Sequence, residues 1–191
     1  MKRTLDFLLS LIGLLLTSPI LLPVIFLVWI QDWHSPFYIA PRVGRREKMF
    51  KMVKLRSMII NADKSGVDST SSNDRRITGV GRFIRKYKLD ELSQLWNVLI
   101  GDMSLVGPRP EQPYFVEKYS AILPYYYRRH KVRPGITGWW QVKYKPFMES
   151  VEEMQSRLLD DFYYIENISL KLDIEILVRT VYCVVSGHGQ T

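Results

Sequence analysis

Cysteine is nearly absent from this sequence, since Cys183 is the only one among 191 residues. A single cysteine excludes an intramolecular disulfide framework and any metal site that needs several cysteines. A chain of this length can bury a hydrophobic core without such cross-links. Acidic residues are also fewer than basic ones, and the formal net charge is +8. This balance is typical of proteins whose partners carry negative charge.

Charge is missing altogether from Phe7–Ile30, a run of 24 residues that reads FLLSLIGLLLTSPILLPVIFLVWI. A run of this kind excludes a disordered, collagen-like or fully soluble chain. As a straight helix it would measure about 36 Å, enough to cross a hydrocarbon core of about 30 Å. However, Ser18 and Pro19 lie at its centre and Pro23 follows one turn later. Proline removes a backbone donor and clashes with the preceding turn, so the sequence predicts a sharp kink or break at Ser18-Pro19.

Basic residues flank the run on both sides: Lys2 and Arg3 precede it, and Arg42, Arg45, Arg46 and Lys48 follow it. Because basic flanks favour the cytoplasmic side, both ends are predicted there, which a single crossing cannot achieve. We therefore prefer a re-entrant hairpin to a straight span. A cleaved signal peptide is the third alternative, but the run is too long for one and no A-x-A-like site follows. The aromatic residues after the run are either interfacial anchors or ordinary packing residues: Trp29, Trp33, Phe37 and Tyr38.

The remaining chain is predicted to be α+β and mainly helical. Phe37–Ile39 and Met49–Val53 have the composition of short strands around a basic turn. Apolar residues at helical spacing predict one helix with a buried face from Leu89, ending at Gly101. The apolar face of the last helix, over Leu170–Val185, is formed by Leu170, Ile174, Leu177, Val178 and Val181.

Asp90 and Glu91 are adjacent acids in the first turn of the helix predicted from Leu89. Acids at this position can simply complement the helix dipole and cap free N–H groups. The alternative is a site that handles a phosphate anion, because Arg85 lies upstream and Arg109 follows on a turn between two prolines. Helix ends and arginines hold phosphate oxygens, and a divalent metal lets carboxylate and phosphate approach each other.

Seven basic residues and one acid lie between Arg42 and Arg56. Anionic lipid headgroups are the preferred partners of Arg45, Arg46 and Lys48. Lys54 and Arg56 are two residues apart and would share one face of a strand, which favours a phosphate ligand instead.

Two segments of this sequence closely resemble the bacterial sugar transferase family, the monotopic phosphoglycosyl transferases. They are RITGVGRFIRKYKLDELSQLWNVLIGDMSLVGPRP and RRHKVRPGITGWWQV. The resemblance extends from the N-terminal Lys-Arg-x-x-Asp motif through Ser18-Pro19 and KLRSM to YYIENISLKLDIEIL, and so covers nearly the whole chain. The resemblance predicts the minimal, single-module type, without the further N-terminal membrane helices of the long family members.

The resemblance implies transfer of a phosphosugar from a nucleotide diphosphate sugar, usually a UDP-sugar, to undecaprenyl phosphate, with release of UMP. Asp90 matches the family nucleophile, which forms an aspartyl phosphosugar intermediate and gives ping-pong kinetics. Glu91 matches the second acid of the pair. Both acids are expected to bind Mg²⁺, and this reaction class depends mainly on positioning and charge neutralisation.

Five basic residues match positions expected to bind substrate: Lys54, Arg56, Arg85, Arg109 and Arg133. Arg133 belongs to RPGITG, a loop expected to contact nucleotide or phosphate, whereas its Gly135 and Gly138 are assigned to a structural turn. Ser18 and Pro19 match the break in the membrane helix. Asp173 either packs against that region or lies on the surface. The Trp140–Lys145 segment departs from the usual A-Q-V-N-G-R-N, which leaves the sugar of the donor unassigned.

The implied architecture is a re-entrant helix–break–helix over residues 1–36 and a compact cytosolic catalytic domain over residues 37–191. The catalytic domain would contain a small β element and interfacial amphipathic helices. The implied location is the cytoplasmic face of the bacterial inner membrane, on an anionic bilayer, where the enzyme initiates glycan assembly. Nucleic acid is not an expected partner, and a homo-oligomer is left open. The alternative function is a non-catalytic, membrane-bound interaction protein that keeps the fold.

Overall fold

In the computed structural model, residues 2–62, 74–143 and 151–186 are described. The helices in chain order are α1 (Lys2–Ile30), α2 (Gly79–Lys86), α3 (Leu89–Leu92), α4 (Leu95–Ile100), α5 (Pro113–Ile122), α6 (Trp139–Val142), α7 (Val151–Glu166) and α8 (Leu170–Ser186). The strands are β1 (Phe37–Val43), β2 (Met49–Leu55), β3 (Ser104–Val106) and β4 (Gly135–Thr137), and two 3-10 segments cover Arg45–Glu47 and Tyr126–Lys131. The protein is therefore mainly helical with a small β component, as predicted.

The first two strands form an antiparallel hairpin in which Phe37 faces Leu55 and Val43 faces Met49. Both predicted strands are confirmed, and each extends further than its sequence pattern indicates. Arg46 and Glu47 adopt left-handed backbone conformations at the tip of the hairpin. The basic turn predicted from the sequence is therefore a tight, exposed hairpin end.

The single helix predicted from Leu89 is wrong, because the structure has two short helices, α3 and α4, separated by Ser93 and Gln94. The Ser93 hydroxyl lies 3.0 Å from the Asp90 carbonyl and 3.1 Å from the Val53 carbonyl, which ties this junction to β2. Trp96, which the apolar spacing from Leu89 places on the buried face, is instead 51% exposed. Gly101 ends α4 as predicted, with a φ of +99° that favours glycine.

Helix α1 is continuous from Lys2 to Ile30 and includes both Pro19 and Pro23. The sequence predicts two arms separated by a break, whereas no non-helical residue interrupts α1. Pro19 cannot donate to the carbonyl of Leu15, and the Ser18 hydroxyl donates to that carbonyl instead, at 2.7 Å. The Ser18-Pro19 pair thus compensates locally for the backbone bond that proline removes.

One stripe of α1 packs against the rest of the protein, and its buried members are Asp6, Ser10, Leu21, Val24 and Val28. The last three share a core cluster with Leu55 of β2 and Ile84 of α2. The rest of the surface of α1 exposes large apolar residues, including Leu15, Leu16, Ile20 and Leu22. In the part of the chain that is described, α1 is the one helix long and apolar enough to cross a membrane.

Polar contacts tie both ends of α1 to the rest of the fold. Near the N-terminus, the ammonium group of Lys2 lies 2.7 Å from the carboxylate of the buried Asp173. Asp173 therefore contacts the N-terminal end of α1 and is not on the surface, and its partner there is Lys2, not the Ser18-Pro19 region. Asp6 accepts hydrogen bonds from the Ser104 hydroxyl at 2.9 Å and the Leu105 N–H at 3.1 Å. At the other end, Arg56 donates to the Val28 carbonyl at 3.3 Å.

Helix α8 buries Leu172, Asp173 and Ile176, not the apolar face predicted from its spacing. That face is largely exposed: Leu170, Ile174, Val178 and Val181 each expose more than half of their surface. The predicted amphipathic helix is therefore present, with an apolar face that the described residues do not cover.

Strands β3 and β4 are parallel and bring the Gly107–Pro110 turn against the Arg133–Gly138 segment. A side chain on Gly135 would place its Cβ atom 2.1 Å from the Gly107 nitrogen. A Cβ atom on Gly138 would lie 2.4 Å from the Gly107 carbonyl oxygen. Both glycines are therefore required by close backbone packing, consistent with their assignment to a structural turn.

The first prediction concerns this close packing. Gly135→Ala should lower the free energy of unfolding by about 2 kcal/mol or more, because the backbone of Gly107 cannot yield as a flexible side chain would. Gly79→Ala is the control, since nothing lies within 4 Å of the added atom; it should be neutral or slightly stabilising. Denaturant unfolding of the detergent-solubilised protein measures both, and equal stabilities would contradict the packing argument.

Candidate active site

The acidic pair lies in the single turn of α3, which confirms its predicted position at the start of a helix. Lys88 adopts a left-handed conformation between α2 and α3 and redirects the chain there. Asn97 of α4 fastens the following segment to β2, since its amide accepts from the Val53 N–H at 2.9 Å and donates to the Lys51 carbonyl at 2.8 Å. These contacts hold α3 beside the strand that carries Lys54.

Glu91 is held by two cations from distant parts of the chain. Its Oε1 atom lies 3.2 Å from the Lys54 ammonium and 2.8 Å from the Arg109 guanidinium. Burial raises the pKa of Glu91, but the charges of Arg109 and Lys54 outweigh this and hold it well below its usual range. Glu91 is therefore ionised and fixed in position.

Asp90 is not held in this way. Its Oδ1 atom is buried and has no hydrogen-bond partner among the described residues. Burial raises the pKa of Asp90, the charge of Lys54 lowers it, and Glu91 raises it again, so that the net shift is upward. A carboxylate oxygen that is desolvated and unpaired is suited to react with or coordinate an incoming group.

Two arginines near the pair have unsatisfied nitrogens. Arg85, in the last turn of α2, acts electrostatically on Asp90, and its buried Nη1 atom has no hydrogen-bond partner in the described ranges. Arg42 of β1 also has a buried Nη1 atom without a partner there, and the charge of Arg109 acts on it. Arginine donors of this kind match phosphate oxygens. From the sequence, Arg42 is predicted only as part of the basic flank, because nothing in its local pattern relates it to Arg109.

A buried network fixes the turn that carries Arg109. Arg129 is 3% exposed and donates to the Arg109 carbonyl at 2.9 Å and to the Tyr126 hydroxyl at 2.7 Å. Its charge is paired with Asp161 at 2.8 Å. Next to it, Glu111 pairs with Arg157 at 2.6 Å. These positioning residues are not predictable from the sequence, because their only sequence signal is charge within apolar helical patterns.

Two of the five predicted substrate-binding residues lie apart from the acidic pair. Arg56 pairs with both carboxylate oxygens of Asp32, one of them at 2.6 Å, and donates to the Ser35 carbonyl at 2.9 Å. These contacts connect the end of α1 to β2. Arg133 donates to the Gly101 carbonyl at 2.9 Å, at the end of α4. The structure therefore gathers Lys54, Arg85 and Arg109 around the pair, but neither Arg56 nor Arg133.

The acidic pair suits a magnesium ion that also binds substrate phosphates. In residues 2–62, 74–143 and 151–186, no three His, Cys, Asp or Glu side chains converge on one point, so a site made of protein ligands alone is not formed there. Mg²⁺ is usually bound through one or two carboxylates together with phosphate oxygens. The unpartnered Oδ1 atom of Asp90 supplies such a ligand, and Glu91 lies next to it.

Comparison with known proteins assigns the chain to a family. The profile of the family described as "Bacterial sugar transferase" matches residues 1–187. This protein therefore belongs to the bacterial sugar transferase family, as its sequence motifs predict.

Several curated relatives are similar over nearly the whole chain. The UDP-N-acetylgalactosamine-undecaprenyl-phosphate N-acetylgalactosaminephosphotransferase of Aeromonas hydrophila is 40% identical over 188 residues, which cover 98% of this chain and 44% of the relative. The UDP-glucose:undecaprenyl-phosphate glucose-1-phosphate transferase of Escherichia coli is 38% identical over 95% of this chain and 39% of the relative. The protein of the same name from Caulobacter vibrioides is 39% identical over 94% of this chain and 68% of the relative. The chain thus spans less than half the length of the first two relatives.

Proposed function

We propose that this protein transfers a phosphosugar from a UDP-sugar to undecaprenyl phosphate and releases UMP. The relatives named above carry names for reactions of this class. The observation that carries the proposal is the contrast within the acidic pair: Glu91 is fixed by two cations, whereas Asp90 presents a buried oxygen without a partner. That asymmetry supports different roles for the two acids.

In the first proposed step, Asp90 is the nucleophile. A carboxylate oxygen of Asp90 forms a bond to the β-phosphorus of the UDP-sugar. The bond between that phosphorus and the bridging oxygen breaks, and UMP leaves with the bridging oxygen and the electron pair. The enzyme then carries an aspartyl phosphosugar.

In the second proposed step, an oxygen of undecaprenyl phosphate attacks the same phosphorus. The bond between phosphorus and the Asp90 oxygen breaks, which restores the carboxylate and yields a lipid diphosphate sugar. Splitting the transfer lets donor and acceptor use one site in turn, and this arrangement gives ping-pong kinetics.

The cations around the pair would hold phosphate oxygens and stabilise the leaving UMP. The unsatisfied nitrogens of Arg85 and Arg42 are suited to the diphosphate, and Arg109 orients Glu91. A magnesium ion held by Asp90 and Glu91 would neutralise part of the phosphate charge. Positioning and charge neutralisation of this kind supply most of the catalysis in phosphoryl transfer.

We further propose that α1 enters and leaves the membrane by one face, bent at Ser18-Pro19. The partners of both ends, Asp173 for Lys2 and Arg56 for Val28, belong to the same folded unit. A membrane-crossing helix would place those ends on opposite sides. This topology would seat the acidic pair at the cytoplasmic face of the inner membrane, beside an anionic bilayer that contains the acceptor lipid.

Asp90→Asn tests the covalent mechanism. This variant should release no UMP from any of a panel of UDP-sugars in the presence of undecaprenyl phosphate and Mg²⁺, because the amide is not a nucleophile. Without acceptor, intact mass spectrometry should detect a phosphosugar adduct on the wild type and none on the variant. Wild-type turnover by Asp90→Asn would contradict the mechanism, and a wild type inactive on the whole panel would favour the non-catalytic interaction protein.

Lys54→Met tests the electrostatic argument. The Lys54 charge lowers the pKa of Asp90, and Asp90 must be ionised to attack, so activity is lost as the pH falls through this pKa. Removing the Lys54 charge raises the pKa of Asp90. The acid limb in the pH profile of UMP release should therefore move to higher pH by about one unit. Lys51→Met is the matched control, since Lys51 is exposed on the same strand. An acid limb that is identical in wild type and Lys54→Met would refute the argument.

Cysteine labelling tests the topology. After Cys183→Ser, single cysteines are introduced at Thr4 and at Ser35, which are both exposed and flank the uncharged run Phe7–Ile30. An impermeant maleimide should modify neither position in intact spheroplasts and both after permeabilisation, because both are expected in the cytoplasm. Modification of one position in intact spheroplasts would establish a helix that crosses the membrane.

A further inference from the structure

A basic cavity lies at the N-terminal end of α1. Its volume is about 160 Å³, and its charged lining residues are Lys2, Arg3, Asp6, Arg45, Lys131 and Arg133. At about 30 Å³ for each water molecule, this space accommodates roughly five waters or one phosphoryl group with some hydration. Five separate chain segments contribute lining residues, so the cavity is formed by the tertiary structure.

Most of the positive charge in this cavity is not neutralised. Lys2 is paired with Asp173, and Asp6 is engaged by the Ser104 hydroxyl and the Leu105 N–H. The other four cations, Arg3, Arg45, Lys131 and Arg133, form no ion pair with a carboxylate of the described chain. Cations that surround one cavity repel each other and lower the stability of the folded protein unless an anion binds there.

Three of these cations are held in place by backbone carbonyls. Arg3 donates to the carbonyls of Val98 and Leu99, the second at 2.7 Å, and Arg133 donates to Gly101. The Nε atom of Arg45 donates to the Lys131 carbonyl at 3.2 Å. A guanidinium has five N–H donors, so each arginine keeps donors that these bonds do not use. The cavity is therefore preorganised for an acceptor-rich ligand.

The cavity is separate from the acidic pair. Arg3 and Arg133 bind the carbonyls at the end of α4, whereas Asp90 and Glu91 precede the start of that helix. The six residues of α4 span about 9 Å. Arg133, predicted from the sequence to contact the substrate, lines this cavity instead.

We propose that this cavity is an anion site that binds a phosphate monoester or diester, distinct from the site of phosphosugar transfer. Arginine and lysine donors around a cavity of this size fit the tetrahedral oxygens of a phosphoryl group. Such a group can come from a soluble phosphate or from a phospholipid headgroup at the membrane surface. The exposed apolar residues beside the cavity, Leu5 and Ile168, fit the lipid source.

The experiment compares two double variants of the full chain in a neutral detergent. Arg45→Ala with Lys131→Ala removes two cations that line the cavity and are exposed at its mouth. Arg46→Ala with Lys48→Ala removes the same charge from exposed neighbours that do not line it. Titration with inorganic phosphate and glycerol 3-phosphate, at ionic strength matched with chloride, measures the soluble source. Binding to phosphatidylcholine vesicles with and without phosphatidylglycerol measures the lipid source.

The cavity variant should bind phosphate or phosphatidylglycerol vesicles at least about tenfold more weakly than wild type, from the loss of charge-assisted hydrogen bonds. With soluble phosphates the control should stay within about twofold of wild type. On vesicles it should lose clearly less than the cavity variant, although Arg46 and Lys48 are themselves expected to face anionic headgroups. A loss confined to vesicles identifies a headgroup, and a loss with soluble phosphates identifies a free phosphate; either supports the proposal. Equal losses in both double variants, or no wild-type binding beyond that of chloride, would overturn it.

Asp90→Asn separates this proposal from the proposed function. The Asp90→Asn protein should release no UMP. When the two double variants are made in this background, the cavity variant should still bind phosphate more weakly than the control. If Asp90→Asn abolished that difference, the bound phosphate would lie at the acidic pair and the second site would be refuted.

Discussion

The ion pairs of Glu91 hold the site together. One carboxylate oxygen receives Lys54 from the hairpin and Arg109 from the turn after β3, so three segments meet at a single atom. Because both cations are committed to Glu91, its neighbour Asp90 keeps an unpaired, desolvated oxygen. A protein that neutralised both acids equally would have no reactive carboxylate. The asymmetry therefore links the packing of the fold to the proposed chemistry.

Near the acidic pair, a buried ion pair holds the turn that carries Arg109 in place. Arg129 is compensated by Asp161 and fastens the carbonyl of Arg109, while close contact between Gly107 and Gly135 keeps the same turn rigid. Rigid support matters because phosphoryl transfer depends on geometry more than on acid–base chemistry. The long apolar helix α1 belongs to the same structure, since its buried stripe shares a core with β2 and α2.

Patterns local in the sequence predicted much of this arrangement. The apolar run, the hairpin around the basic turn and the position of Asp90 and Glu91 at a helix start all follow from neighbours along the chain. Two predictions were wrong where an apolar pattern was compatible with more than one way of packing the helix. The single helix from Leu89 is divided at Ser93, whose hydroxyl binds β2 as well as its own helix, and α8 buries the side that carries Asp173.

The acidic pair, the proline-bounded arginine, the surplus of basic residues and the apolar helix are all evident in the amino-acid sequence. Which cation pairs with which acid follows from the folding of the chain. Lys54 and Arg56 are two residues apart, yet one binds Glu91 and the other Asp32. Arg109 approaches the pair, while Arg133 binds the end of α4 and lines a separate cavity. The physical reason is that charges interact strongly only at short range, and those distances are set by the packing of segments far apart in sequence.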